Sequence, residues 1–196
     1  MNNLEILGAV LGVLNVWLIQ RRSMWNYPFG IAMVVCYFYV FKEYGLYSDM
    51  LLQVFYFVVQ FYGLYNWWNN REPDGLVQIE WMPNQTRWFA AGYTVVGILL
   101  LGWIMSTMQG VQAPYWDATV AGLSVTAQFL LSRRWIENWI LWITVDLIAI
   151  PLYYSRDLTS TTVLYVIFLG LASYGFFSWY KSYDSRNGPR KVHASS

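Results

Sequence analysis

Apolar residues run along this chain in seven long stretches, broken by short segments that carry Arg, Lys, Asp, Pro or Gly. The stretches predict spans over about 4–20, 25–41, 48–68, 87–107, 115–131, 135–153 and 158–179. A helix needs about 20 apolar residues to cross roughly 30 Å of hydrocarbon, and each stretch is close to that length. Inside a bilayer every backbone N–H and C=O must be paired within the protein, which leaves only helices or a closed barrel. Near-continuous apolarity, without strand-type alternation, selects helices. The breaks are turn or charge signals: Arg21-Arg22-Ser23, Lys42-Glu43-Tyr44-Gly45, Arg71-Glu72-Pro73-Asp74-Gly75, Gln109-Gly110 with Pro114, Arg133-Arg134 and Ser155-Arg156-Asp157.

Basic residues orient these spans. Arg21, Arg22, Arg71, Arg87, Arg133, Arg134, Lys181, Arg186, Arg190 and Lys191 fall on one side, and only Lys42 and Arg156 on the other. This asymmetry places the N-terminus outside and the C-terminus in the cytoplasm. It also requires an odd number of spans, because six would scramble it. Trp67, Trp68, Trp81, Trp88, Trp179 and Tyr180 fall at predicted inner ends, and Tyr115 and Trp116 at an outer end, as aromatic belt residues would.

The chain also matches itself. Shifted by 112 residues without a gap, Leu18, Arg21, Arg22, Asn26 and Ile31 meet Leu130, Arg133, Arg134, Asn138 and Ile143. Leu46, Ser48, Leu52 and Val54 meet Leu158, Ser160, Leu164 and Val166, and Tyr62-Gly63 with Trp67 meets Tyr174-Gly175 with Trp179. Apolar composition yields chance matches, but not a shared Arg-Arg turn and a shared Tyr-Gly-x-x-x-Trp in one register. The fold expected is therefore an all-α integral membrane protein of seven transmembrane helices. Two three-helix repeats, 4–68 and 115–180, flank a linking helix, 87–107, with a cytoplasmic tail over 181–196. Four helices separate corresponding elements, so both copies point the same way across the membrane. That is the parallel 3+1+3 plan of SWEET-type transporters, with a ligand site between the halves near the midplane.

Composition removes other classes. Only 12% of residues are charged, against about 25% in soluble domains. The net charge of +1 gives no sign of a nucleic-acid partner, and one cysteine, Cys36, allows no internal disulfide. The first apolar stretch is preceded by Met1-Asn2-Asn3-Leu4-Glu5, which lacks the basic start of a cleaved signal peptide. The only histidine, His193, lies in the tail. There is no His-based metal site, no Ser-His dyad and no Gly-rich phosphate loop, so neither a cofactor nor an enzymatic activity is expected.

Candidate chemistry lies where the repeat is broken. Asp146 stands near the middle of the sixth span, opposite Val34 in the other copy. A carboxyl at bilayer depth costs about 2.5–3.5 kcal/mol on insertion scales, so it marks either a ligand site or a structural hydrogen bond between helices. Trp135, Asn138, Trp139, Trp142 and Asp146 share one helical face. Indole rings along such a face form a platform for a flat cationic ring, or else a packing surface. Gln53, Tyr56 and Gln60 form a second polar-aromatic stripe on the third span, suited to a ligand or to helix–helix bonds. Gln128, and Asn26 beside Trp25, are further candidates, whereas Glu137 reads as an ion-pair partner of Arg133-Arg134.

The run from Arg133-Arg134-Trp135-Ile136-Glu137-Asn138-Trp139 through Trp142, Asp146 and Pro151-Leu152-Tyr153 resembles the PnuC family of bacterial vitamin transporters. So does Leu46-Tyr47-Ser48-Asp49-Met50-Leu51-Leu52-Gln53 running to Tyr62-Gly63 and Trp67. The resemblance covers nearly the whole chain, and Glu-Asn-Trp-x-x-Trp-x-x-x-Asp is its specific part. It implies a homotrimeric facilitator in the bacterial inner membrane that carries a B-vitamin nucleoside, most often nicotinamide riboside, down its gradient. A cytosolic vitamin kinase would then trap the substrate. It also implies ligand contacts at Gln53, Asn138, Trp139, Trp142 and Asp146. Thiamine and riboflavin are alternative substrates within the family. A membrane scaffold whose aromatic faces meet lipid or partner subunits is the alternative from another class.

Overall fold

In a computed structural model the chain is all-helical, described over residues 3–43, 47–108, 113–157 and 159–187. Seven helices follow one another: α1 (Asn3–Gln20), α2 (Asn26–Glu43), α3 (Tyr47–Asn69), α4 (Asn84–Ser106), α5 (Pro114–Ser132), α6 (Glu137–Tyr154) and α7 (Thr159–Asn187). The ends of the first six agree with the apolar stretches to three residues or fewer. The breaks at Tyr44-Gly45 and Gln109-Gly110, and the tail beyond residue 187, lie outside the described residues. Helices α1, α4 and the 161–186 part of α7 are each long and apolar enough to cross a membrane unaided.

Helix α7 differs from its expected span by running on to Asn187. Nothing in Tyr180–Asn187 breaks a helix, because the first Gly-Pro pair comes only at Gly188-Pro189. The added turns are anchored: Trp81 meets Tyr180 and Tyr183 edge-on, and Arg186 pairs with Glu72.

Helices α1, α2, α3, α5, α6 and α7 form a closed ring in that order, with α3 on α5 and α7 on α1 closing it. Helix α4 packs on α5 alone among the described helices. A bare Gly102 makes room for the Tyr115 ring in that contact, and the Thr94 and Thr126 hydroxyls bond at 2.8 Å. Its other faces, with Trp88, Phe89, Tyr93 and Trp103 all more than 60% exposed, suit lipid.

The packing repeats with the same 112-residue shift as the sequence. The Trp67 indole N–H donates to the Leu131 carbonyl at 3.1 Å, and the Trp179 indole N–H donates to the Ile19 carbonyl at 3.1 Å. Each indole meets a ring on the preceding helix of its own repeat edge-on, Tyr27–Trp67 at 5.5 Å and Trp139–Trp179 at 5.4 Å between centroids. The repeated glycine explains itself here. A Cβ at Gly63 would lie 2.8 Å from the Tyr27 hydroxyl, and one at Gly175 would lie 2.7 Å from the Trp139 ring. Arg22 and Arg134 both adopt left-handed backbone (φ 56° and 65°), ending the turn between the first two helices of each copy. Trp67 and Trp179, expected in the belt, are thus fully buried, whereas Trp68 and Trp88 are exposed as expected. Trp135 is buried as well, against Met82 and Leu130.

Residues 70–83, the longest polar stretch between spans, fold back into the arginine-rich end of the ring. Val77, Ile79 and Met82 are buried there, the first two beside Trp67, Trp179, Ile19 and Ile136. The left-handed arginines hold the segment from both sides: Arg22 Nη1 donates to the Val77 carbonyl at 3.4 Å and Arg134 Nη1 to the Gln78 carbonyl at 2.9 Å. Glu80 and Trp135 form a one-residue parallel bridge, with Glu80 N–H on the Arg134 carbonyl and Ile136 N–H on the Glu80 carbonyl. Burial lowers the Arg134 guanidinium from its ordinary pKa, opposed by Glu80 at 3.7 Å. Glu137 does not pair with Arg133 or Arg134, because the folded segment reaches it first. It accepts from the Met82 N–H and pairs with Arg87 at 2.6 Å. At the opposite end Arg156 binds Asp117 through two hydrogen bonds, which raise its pKa.

Two expectations follow. Trp67→Phe and Trp179→Phe each remove one buried hydrogen bond worth about 1 kcal/mol. They are expected to lower the thermal midpoint in detergent by similar amounts, and a large loss in only one of them would speak against equivalent roles. Arg134→Ala is expected to speed proteolysis within residues 70–83 several-fold, measured by limited digestion; unchanged cleavage would mean the segment is held by its apolar contacts alone.

Candidate substrate-binding site

A cavity of about 170 Å³ lies inside the helix ring. It is walled by Gly12, Asn15, Val16 and Ile19 of α1, Met33 and Val34 of α2, and Tyr56 and Gln60 of α3. The second copy supplies Gln128 and Leu131 of α5, Trp139, Trp142 and Asp146 of α6, and Tyr165, Phe168 and Ala172 of α7. Every ring helix contributes, and α4 does not. The positions are largely shared by the two repeats, but their chemistry is not. Asn15 faces Ala127 under the shift, Gln60 faces Ala172, Val16 faces Gln128 and Val34 faces Asp146. The cavity is therefore built by symmetric helices and lined asymmetrically.

Six of the sequence candidates meet on this wall: Tyr56, Gln60, Gln128, Trp139, Trp142 and Asp146. The 3.6-residue period of α6 stacks Trp139, Trp142 and Asp146 on the face that the helix turns toward the ring interior. Asp146 is 3% exposed and Gln60 5%, and among the described residues neither side chain, nor that of Gln128, has a hydrogen-bond partner in the protein. Unpaired buried polar groups are costly and rare, each by a few kcal/mol. Two such groups, Asp146 and Gln60, open on one cavity with the half-buried Gln128.

The other three candidates stand off the wall. Gln53 is buried on α3, two turns before Gln60. Asn138 is fully buried beneath the cavity, its Nδ2 donating to the Trp135 carbonyl at 2.6 Å, while Oδ1 has no partner among the described residues. Asn26, its counterpart, donates in the same way to the Ser23 carbonyl at 2.7 Å. Both close the turn before their helix. Trp25 is 68% exposed on the ring exterior.

Sequence reasoning passed over Asn15, Tyr165 and Phe168. Asn15 is buried, and its Nδ2 donates to the Asn26 carbonyl at 2.6 Å. Its signal was an amide amid apolar residues of α1, matched by Ala127 in the other copy. The Tyr165 ring lies tilted against Tyr153 and edge-on to Phe168, extending the aromatic wall on α7. No group of three or more potential metal ligands occurs among the described residues.

Comparison with known proteins converges on one group. The nicotinamide riboside transporter PnuC of Escherichia coli K12 is 25% identical over 97% of this chain and 90% of its own length. That of Neisseria mucosa is 28% identical over 94% of this chain and 74% of its own length. The riboflavin/roseoflavin transporter RibM of Streptomyces davaonensis is 25% identical over 90% of this chain and 84% of its own. A crystal structure of the vitamin B3 transporter PnuC matches with a TM-score of 0.75 at 28% identity, covering 91% of this chain and 80% of that one. Residues 2–181 match the family described as nicotinamide mononucleotide transporter, so the chain is a multi-pass membrane protein that belongs to this family of transporters, the PnuC group.

Proposed function

We propose that this chain is a facilitator that carries nicotinamide riboside across the bacterial inner membrane. The observation that carries the reading is the set of polar groups, the buried Asp146 and Gln60 and the half-buried Gln128, gathered with Trp139 and Trp142 on one cavity between the two repeats. A pyridinium ring is flat and cationic, and indole faces attract such a ring through their quadrupole. The carboxyl of Asp146 and the two amides supply partners for a carboxamide and ribose hydroxyls. The relatives named for nicotinamide riboside support the same substrate.

In this reading all seven helices span the bilayer, as two like-facing three-helix units around α4, with the N-terminus outside. Residues 70–83 then close the cytoplasmic end. Among the described residues no chain of ionisable carriers crosses the ring, and in this reading the driving force is the substrate's own gradient, kept steep by a cytosolic vitamin kinase. The active form is a homotrimer. Riboflavin is the second reading, favoured by the likeness to RibM.

In proteoliposomes nicotinamide riboside is expected to equilibrate with no imposed ion gradient. Strict dependence on a proton or sodium gradient would remove the facilitator mechanism. Trp142→Ala is expected to weaken binding by about 1–3 kcal/mol, the range for a ring stacked on an aromatic side chain. Asp146→Asn is expected to weaken it by about 1 kcal/mol, the worth of one hydrogen bond to the ligand. Titration by intrinsic tryptophan fluorescence reads both, and unchanged affinity in the pair would move the site elsewhere.

A further inference from the structure

Gly30 and Trp142 occupy the same position in the two repeats. One copy therefore presents an indole at this height, and the other presents bare backbone. The space beside Gly30 is used. A Cβ built there would lie 2.5 Å from Gln60 Nε2 and 2.7 Å from Asn15 Nδ2, so both amides sit directly on the glycine. Neither could keep its place beside any other residue. Their counterparts across the repeat, Ala172 and Ala127, leave the matching space to the Trp142 side.

The Asn15 amide is held from below. Its Nδ2 donates to the Asn26 carbonyl, and Asn26 is fixed in turn by its own Nδ2 on the Ser23 carbonyl. This chain accounts for Asn26, which stands off the cavity wall yet is almost fully buried. Asn15 Oδ1 can still accept, and the Gln60 amide, whose Nε2 sits on the same glycine, both donates and accepts. Asn15 and Gln60 both line the cavity, across from the second copy's Trp142 and Asp146.

We propose that Gly30 is a positioning residue for substrate recognition, seating Asn15 and Gln60 as a joint amide subsite for a group that both donates and accepts hydrogen bonds. A primary carboxamide or a pair of ribose hydroxyls satisfies that subsite; a carboxylate, which only accepts, meets the Asn15 oxygen unfavourably. The proposal deepens the transport reading above and rests on it. Size is not the selecting feature here. A methyl at Gly30 costs little volume in the cavity, but it displaces the ends of two flexible side chains.

The test is a double-mutant cycle on purified full-length protein, titrated with nicotinamide riboside. Gly30→Ala is expected to weaken binding roughly three- to tenfold, the loss for about one hydrogen bond. Gln60→Ala is expected to weaken it by a similar factor. Gly30→Ala added to Gln60→Ala is expected to cost less than it does alone, because one of the two amides it displaces is already gone and only Asn15 is left to move. Additive losses would overturn the positioning role, as a merely structural defect predicts additivity. If Gly30→Ala fails to give monodisperse protein, Asn15→Leu and Gln60→Ala carry the test: unchanged affinity in both overturns the subsite. Wild-type protein that binds the riboside while these variants bind equally well sinks only this inference. Wild-type protein that binds none sinks the transport reading itself.

Discussion

Two buried indole N–H groups hold the fold together. In hydrocarbon an unpaired polar group has no water to turn to, so side chains that complete helix ends also decide how helices meet. Trp67, near the end of α3, donates to a carbonyl in the last turn of α5, and Trp179 on α7 donates to a carbonyl in the last turn of α1. These are the two joints at which one repeat closes on the other. With the indole rings themselves in contact at 6.0 Å, the joints meet at the centre of the ring. Gly63 and Gly175 then follow as a steric necessity, since any side chain there would collide with Tyr27 or Trp139.

The same joints separate two tasks. Near the arginine-rich end the packing is symmetric, dry and dense, and residues 77–79 are inserted into it as part of the core. Toward the ring interior symmetry survives in the backbone but not in the side chains. There the second repeat carries Asp146 and Gln128, and the first carries Asn15 and Gln60. A scaffold gains from repeating its contacts; a single asymmetric ligand on a twofold axis gains from breaking them.

What could be read before the coordinates follows the same division. Helix number and most boundaries were legible because apolar length and Pro, Gly or Arg breaks are local signals; the matched pairs Arg22/Arg134 and Trp67/Trp179 were legible too, and the contacts they make agree with the 112-residue shift. The 70–83 segment was not legible as core. Its Val77, Ile79 and Met82 are scattered among charges, and their burial depends on a pocket made by four distant helix ends. For the same reason Trp67 and Trp179 read as interfacial, since position along a helix does not reveal which face is covered. Glu137 reads naturally as a partner of the nearby arginines, yet Arg87, fifty residues earlier, takes it. On α6 the helical period did bring Trp139, Trp142 and Asp146 together. Asn138 falls on the same side but is spent on its own turn.

Passage of a vitamin through this molecule depends on the cavity between the repeats being the place where substrate sits. The most direct measurement is a structure determined with nicotinamide riboside bound. The account predicts its base beside Trp142 with Asp146 and the Asn15–Gln60 pair around it, enclosed by helices of both repeats. A riboside found on the lipid-facing surface, or held by one repeat alone, would contradict it.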